Sequence, residues 1–243
     1  MAVLKLTLEY DGAEFAGWAA QPGLRTVEDT LGAALEQVTG SAPALSVAGR
    51  TDAGVHALGQ VVSFACEEEE AERLTRGVNG VLPRDVAVVA AERAPDGFDA
   101  RRDARSRTYC YRVHSRAAPS PFERGRALWW PHTVDHAALD DCARLLAGTH
   151  DFTAFTPTRT DHVRFERAVL RSEWNHLDDL IEFWIEADAF MRHMVRILVG
   201  TMLEVAGGRR DSESWGRLLE GAPRSDAGET VAAHGLYLAA VRY

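Results

Sequence analysis

The sequence predicts an α+β fold with a mostly antiparallel sheet. Three observations carry this: runs in which apolar and polar residues alternate, amphipathic helices with cap residues between those runs, and strand-forming runs that neighbour each other as in a hairpin. Strands and helices recur in two similar sets, divided near residue 105, without a repeat of the sequence itself.

Leu4, Leu6, Leu8 and Tyr10 alternate with Val3, Lys5, Thr7 and Glu9, which gives a first strand ending at Asp11-Gly12. Thr26 with Asp29 three residues on resembles a capping box. Leu31, Ala34, Leu35 and Val38 then fall at i, i+3, i+4 and i+7, and Gly40 suits a helix exit. A strand over 60–66, a short helix near 69–78 and a strand over 86–91 complete the first set.

The second set starts with a strand over 107–114. A helix near 135–147 follows, carrying Leu139, Cys142, Ala143 and Leu146, and then strands near 168–175 and 180–187. A long helix from about 189 has Met191, Met194, Val195, Leu198, Val199, Met202 and Leu203 as its apolar stripe, with Arg192 and Arg196 one turn apart on the other flank. A helix around Trp215, Leu218 and Leu219 and a last strand over 235–243 close the chain. The arginine-rich stretch 156–167 has no apolar period and reads either as a substrate-contacting loop or as a solvated connection.

At 243 residues and 46% hydrophobic content the chain can bury a real core as one large domain or two small ones. No apolar run approaches the roughly 20 residues that cross a bilayer, and Met1 opens no charged-then-apolar leader, so the expected location is the cytoplasm, away from membranes. Cys66, Cys110 and Cys142 are odd in number and widely spaced, which suggests buried thiols rather than disulfides or a zinc site. His132 and His136 lie at helical spacing without a supporting carboxylate or cysteine pattern, so a metal site is not expected.

The formal charge of −9 argues against a wholly basic nucleic-acid coat, yet the cations are clustered. Five arginines fall within "ARRDARSRTYCYR" at 100–112, while acids gather in "EEEEAE" at 67–72, a solvated loop or helix start. In a regular strand Tyr109 and Tyr111 share a face; flanked by Arg105, Arg107 and Arg112, they suit stacking on an extruded base beside phosphates. An ordinary strand with one basic face fits the same spacing.

No P-loop, dinucleotide-binding glycine motif or serine elbow is present, which leaves carboxylate, arginine and tyrosine to do any chemistry. The stretch "AGRTDAGVHALGQVVSF" at 48–64 places Arg50 two residues before Asp52 in a tight loop that runs into a strand. "TDAG" alone reads as a turn. With Arg50 beside it, an ionised Asp52 is also a nucleophile or base held by a rigid support. His56 offers a second protic group, or simply packs against a neighbouring strand. A non-catalytic RNA-binding module would use the same arginines and tyrosines but gains nothing from a carboxylate near phosphates. A hydrolase with Asp52 as nucleophile would want a second carboxylate or a metal.

The string "GRTDAGVHA" at 49–57 resembles the signature of the TruA-type tRNA pseudouridine synthases. The likeness extends through "LEYDGAEFAGW", "GVNGVLP" at 77–83, "FDARRDARSRTYCYR" at 98–112, "GTHDFTAF" at 148–155, "FMRHMVRILVGTMLEV" at 190–205 and "GLYL" at 235–238. The resemblance implies a homodimeric isomerase that needs no cofactor and converts uridine to pseudouridine in the anticodon stem-loop of tRNA, at the positions numbered 38 to 40. It implies Asp52 as catalytic nucleophile, Tyr109 stacked on the target base, Arg50 beside the aspartate holding the base out of the stem, and Arg196 of the long helix near the same carboxylate; Arg107, from the basic strand, joins Arg196 as a candidate substrate-binding residue.

It also implies a curved, mostly antiparallel mixed sheet with flanking helices, built as two ferredoxin-like halves around a central cleft. Residues 1–105 would carry the catalytic loop, and 106–243 would complete the RNA-binding cleft. One departure stands out: the family usually has glutamine at the position of Ala19, so that polar contact is missing or is supplied by Gln21.

Overall fold

Burial follows the alternation in the first strand: Ala2, Leu4, Leu6, Leu8 and Tyr10 are buried, and the intervening residues face outward in part. The computed structural model describes residues 2–67, 73–74 and 77–243. The helix expected near 69–78 and the acidic run at 67–72 fall largely outside them. The chain forms two units, Met1–Arg105 with Tyr237–Tyr243, and Ser106–Leu236. Both are α+β.

In the first unit β1 (Ala2–Tyr10) runs antiparallel between β3 (His56–Cys66) and β4 (Val86–Ala94), with Leu6 opposite Val62 on one side and Ala91 on the other. The two-residue β2 (Ser46–Val47) pairs with β3. Helix α1 (Val27–Thr39) starts where Thr26 accepts from the Asp29 N–H and stops at Gly40, whose φ of 85° makes a left-handed cap. Its buried Val27, Leu31, Ala34 and Leu35 supply the apolar face expected of it.

Strand β3 is buried on both faces, so it shows no clean alternation. Val61 packs with Ala48 and Ala100 under Phe98, Val241 and Tyr243. Tyr243 donates its hydroxyl to the Ala100 carbonyl at 2.9 Å, and Ala100 N–H donates to Ser63 Oγ at 2.9 Å.

Tyr243 directly follows the last strand, β10 (Leu236–Arg242), which pairs in parallel with β3 through Tyr237–His56 and Leu238–Ala57. The assignment of all of 106–243 to the second half is therefore corrected. Tyr237–Tyr243 group with the first unit, where the strand pairs with β3 and Val241 and Tyr243 cover Val61, Ala48 and Ala100. Gly59 permits this approach, since a Cβ there would sit 2.5 Å from the Ala239 carbonyl oxygen.

The second unit holds β5 (Ser106–His114), β9 (Leu180–Ala187), β8 (Glu166–Leu177) and β7 (Gly148–Asp151) as successive antiparallel neighbours. The short β6 (Leu128–Trp129) lies parallel to β5. The sheet strands are thus mixed and mostly antiparallel. Strands β8 and β9 form the expected hairpin, turning at Asp178, which takes a left-handed φ of 52°. Helix α2 (His136–Leu145) is capped by Asp135, and α4 (Ser212–Leu218) by Asp211.

Helix α3 differs from expectation in its start and its exposure. It spans Met194–Ala206 rather than beginning near 189, because His193 sits at φ 61° and breaks the helical path. Arg192 is consequently outside it, not one turn below Arg196 on a shared flank. Within the helix every residue except Arg196 and Glu204 is buried. A Cβ at Gly200 would lie 2.1 Å from the Glu229 carbonyl oxygen, which shows how closely the 228–231 segment covers the second side.

Candidate active site

The loop that carries Asp52 is fixed by its own main chain and by two neighbouring segments. Asp52 C=O accepts from Val55 N–H at 3.1 Å, and Gly54 takes a φ of 77°. The turn is thus closed without the carboxylate. Asp52 is half-buried and Arg50 exposed, while Thr51 between them is buried.

The 11–25 loop grips the same turn from one side. Trp18 N–H donates to Thr51 C=O at 2.9 Å, and Gly54 N–H donates to Phe15 C=O at 3.3 Å. Gly17, with φ 102°, brings its backbone so close that a Cβ would stand 2.9 Å from the Thr51 carbonyl oxygen and 3.2 Å from the Asp52 carbonyl carbon. Arg25 braces this loop: its guanidinium lies 4.0 Å from the Phe15 ring centroid and makes hydrogen bonds of 2.7 and 2.9 Å to both Asp85 oxygens. That pairing holds the Asp85 carboxyl below its usual range. Gln21 spends its amide on the Ala16 carbonyl of its own loop at 3.0 Å, in place of the outward contact considered for it.

On the other side stand Tyr10 and Gln60. The Tyr10 hydroxyl lies 2.7 Å from Thr51 Oγ1, and Gln60 Nε2 donates to Gly49 C=O at 2.7 Å and to the Tyr10 oxygen at 3.4 Å. Sequence reasoning treated Tyr10 as an ordinary core residue, and Gln60 as a strand residue. A polar residue in an otherwise apolar run over 57–62 was the available signal.

His56 proves structural. It is buried, stacks on Tyr237 at 4.6 Å, and its Nδ1 accepts from Gly12 N–H at 3.0 Å. Asp11 Oδ1 also lies 3.1 Å from that nitrogen, but one Nδ1 cannot both accept from Gly12 and donate to Asp11, and the main-chain donor is the one with a fixed proton.

The second unit holds the other named residues. Tyr109 and Tyr111 do share one face of β5, as their spacing requires; both are buried, and Tyr109 at 9% is the more accessible. Its ring meets Phe190 edge-on at 4.8 Å. Tyr111 is sealed in the core: its hydroxyl donates to Ala232 C=O at 2.7 Å, and a Cβ at Gly235 would touch its ring at 2.7 Å. Burial pushes that phenol well above its normal range.

Arg107 donates to the Asp188 carbonyl at 3.1 Å. Arg196 donates its Nε to Val231 C=O at 2.7 Å, which anchors the guanidinium on α3. Burial, aided by the Arg196 charge, holds the nearby His234 below its usual range. Arg112 is engaged by two carboxylates, Glu123 at 3.1 Å and Glu182 at 3.3 Å, and so leaves the set of phosphate-facing arginines. Arg167 leaves it too: it is buried and caps the carbonyls of Arg164 and Glu166. Arg159 and Arg164 remain exposed.

Among the described residues no group of three or more histidine, cysteine or acidic side chains is placed to hold a metal, and no helix is long and apolar enough to cross a membrane. His136 instead hydrogen-bonds His176 at 2.8 Å, and all three cysteines are buried free thiols.

A family model described as tRNA pseudouridine synthase matches residues 7–102 and 142–243. The chain is 43% identical to tRNA pseudouridine synthase A of Roseiflexus sp. (strain RS-1), over all of this chain and 91% of that protein. It is 38% identical to the proteins of that name from Geobacillus sp. (strain WCH70) and Bacillus subtilis (strain 168), each over 99% of this chain and 98% of the relative. The matched residues take in both the Asp52 loop and the 194–206 helix with Arg196. On that breadth of agreement the chain belongs to the tRNA pseudouridine synthase family.

Proposed function

We propose that this chain isomerises uridine to pseudouridine at positions 38 to 40 of the tRNA anticodon stem-loop, with Asp52 as the nucleophile, and that it works as a homodimer in the cytoplasm. Family membership makes it an isomerase acting on tRNA uridine. The observation that carries the assignment to Asp52 is the loop geometry: a turn closed by its main chain and gripped on both sides holds the half-buried Asp52 in a fixed place.

The reaction breaks the N1–C1′ bond, turns the uracil, joins C5 to C1′ and releases the C5 proton. A uridine inside a stem must first be flipped out, at a cost of a few kcal/mol. In this reading Asp52 forms the transient covalent bond that keeps the two fragments together. Arg50 stands beside it in the loop and holds the base out of the stem. Tyr109, backed by Phe190, offers its ring to the base. Arg107 and Arg196, whose guanidinium nitrogens are already anchored to carbonyls, hold the surrounding phosphates.

Tritium release from a tRNA transcript labelled at uridine C5 tests the reading. Pure protein with a chelator should release the label. Replacing Asp52→Asn, nearly isosteric, should cut release by about 10³-fold or more while tRNA affinity stays within about tenfold. A variant that still works at a tenth of the parental rate would reduce Asp52 to a turn residue. Light scattering of the pure protein decides between dimer and monomer.

A further inference from the structure

We propose that Tyr10 is a positioning residue for the pseudouridylation reaction, setting the placement of Asp52 through a hydrogen-bond relay with Gln60 and Thr51. The proposal rests on Asp52 being the catalytic group. The orientation of the Gln60 amide follows from counting donors and acceptors. Gln60 has two amide hydrogens and two acceptors in reach, Gly49 C=O at 2.7 Å and the Tyr10 oxygen at 3.4 Å, so both are used. Its own Oε1 accepts from Val61 N–H at 3.1 Å, which fixes the orientation of the amide. The Tyr10 oxygen therefore accepts from Gln60, and it lies 2.7 Å from Thr51 Oγ1, a bond in which either hydroxyl can donate.

The two points held, Gly49 and Thr51, flank Arg50, and Thr51 is joined directly to Asp52. The relay thus sets the exit of the loop from Gly49 and the peptide that leads into the carboxylate. Tyr10 is suited to this by its place near the end of β1, where it pairs with Ala57 on the strand that leaves the loop. It is buried, and its ring lies 6.2 Å from Trp18, whose N–H holds the Thr51 carbonyl. The opposite faces of residue 51 are thereby tied to a strand and to the 11–25 loop. Burial pushes the phenol up to about 12, against the opposing hydrogen bonds of Thr51 and Gln60, so the hydroxyl stays protonated wherever the enzyme works.

The test measures single-turnover C5-tritium release under saturating enzyme, tRNA affinity and thermal melting for Tyr10→Phe, Thr51→Val, Thr51→Ser, the Tyr10→Phe/Thr51→Val double variant and Asp52→Asn. A loop displaced by up to about 1 Å costs roughly tenfold to hundredfold in rate. Tyr10→Phe and Thr51→Val should each show a loss in that range, with tRNA affinity within about threefold of the parent. Thr51→Ser, which keeps the oxygen, should rescue the rate, and the double variant should be scarcely slower than the slower single. A purely structural role predicts lower melting temperatures with parental single-turnover rates.

Parental rates in Tyr10→Phe and Thr51→Val, with Asp52→Asn inactive, overturn the relay and leave the catalytic assignment standing. An active Asp52→Asn overturns both. Losses that multiply in the double variant show two independent effects and also overturn the relay. Should Tyr10→Phe fail to fold, Thr51→Val against Thr51→Ser decides alone.

Discussion

Replacing Gly17→Ala perturbs the Asp52 loop without changing any residue assigned to the substrate. Two costs combine. An alanine at φ 102° lies outside the usual left-handed well and costs about 1–3 kcal/mol. Its Cβ would also press on main chain, 2.9 Å from the Thr51 carbonyl oxygen and 3.2 Å from Ala53 N, which adds about 1–3 kcal/mol of overpacking. Relief of unfolded-chain entropy returns about 0.4–1 kcal/mol. The net loss is about 1–5.5 kcal/mol, or about 2–22 °C in melting temperature for a chain of this size.

The clash is relieved only by moving the peptide that carries Asp52, by a few tenths of an ångström. On the scale where about 1 Å costs 10²-fold, turnover should fall about threefold to tenfold. The control is Gly23→Ala in the same loop, at φ 74° with nothing within 4 Å of the added Cβ. It should lose about 1 kcal/mol and keep the parental rate. Single-turnover C5-tritium release at 25 °C, below either melting point, separates the two. If Gly17→Ala reacts at the parental rate, Gly17 is a folding residue only and the loop tolerates displacement.

Three further outcomes follow from the site. Tyr109→Phe keeps the ring against Phe190 and should retain much of its turnover, whereas Tyr109→Leu should lose considerably more; equal rates would assign the role to the hydroxyl. His234 is held below its normal range by burial first and by Arg196 second, so the unfolded chain takes up its proton more readily. Stability from this group is full above about pH 6.5 and is lost as pH falls through the depressed folded value. Chemical-denaturation midpoints between pH 7.5 and 5 should therefore drop less in His234→Gln than in the parent, and an unchanged drop would refute the assignment. Finally, tRNA affinity should fall with salt despite the net negative charge. Removing the exposed Arg159 and Arg164 together should flatten the log–log slope by about 1.5–2, while removing the carboxylate-bound Arg112 should leave the slope as it was.

The arginine prediction shows where sequence reading stops. Spacing placed Arg107 and Arg112 alike beside two tyrosines. What distinguishes them is the company brought from elsewhere in the chain: Glu123 and Glu182 bind Arg112, while Arg107 donates to the Asp188 carbonyl. Tyr109 and Tyr111 are equivalent under a period of two, and the 233–235 turn that covers one of them is far away in the chain. The start of α3 was misplaced for a related reason. Apolar spacing continues back through Met191, which is buried, but the break at His193 is a single backbone angle that hydrophobic pattern cannot register.

By itself the sequence determined whatever depends on near neighbours. Alternation set β1, Thr26 and Gly40 bounded α1, adjacent strands with an Asp-Asp turn set the β8–β9 hairpin, and the 49–57 string identified the loop and its family. These signals are local because strand pleating, helix caps and tight turns are satisfied within a few residues. Tertiary structure alone decided that the last strand leaves its own half to pair with β3, that His56 is a stacked core residue, and that Tyr10, Gln60 and Gly17 hold the Asp52 turn. Each of these depends on which distant backbone supplies a hydrogen-bond partner or fills the space beside a side chain, and chain periodicity reports which face is apolar without saying what covers it.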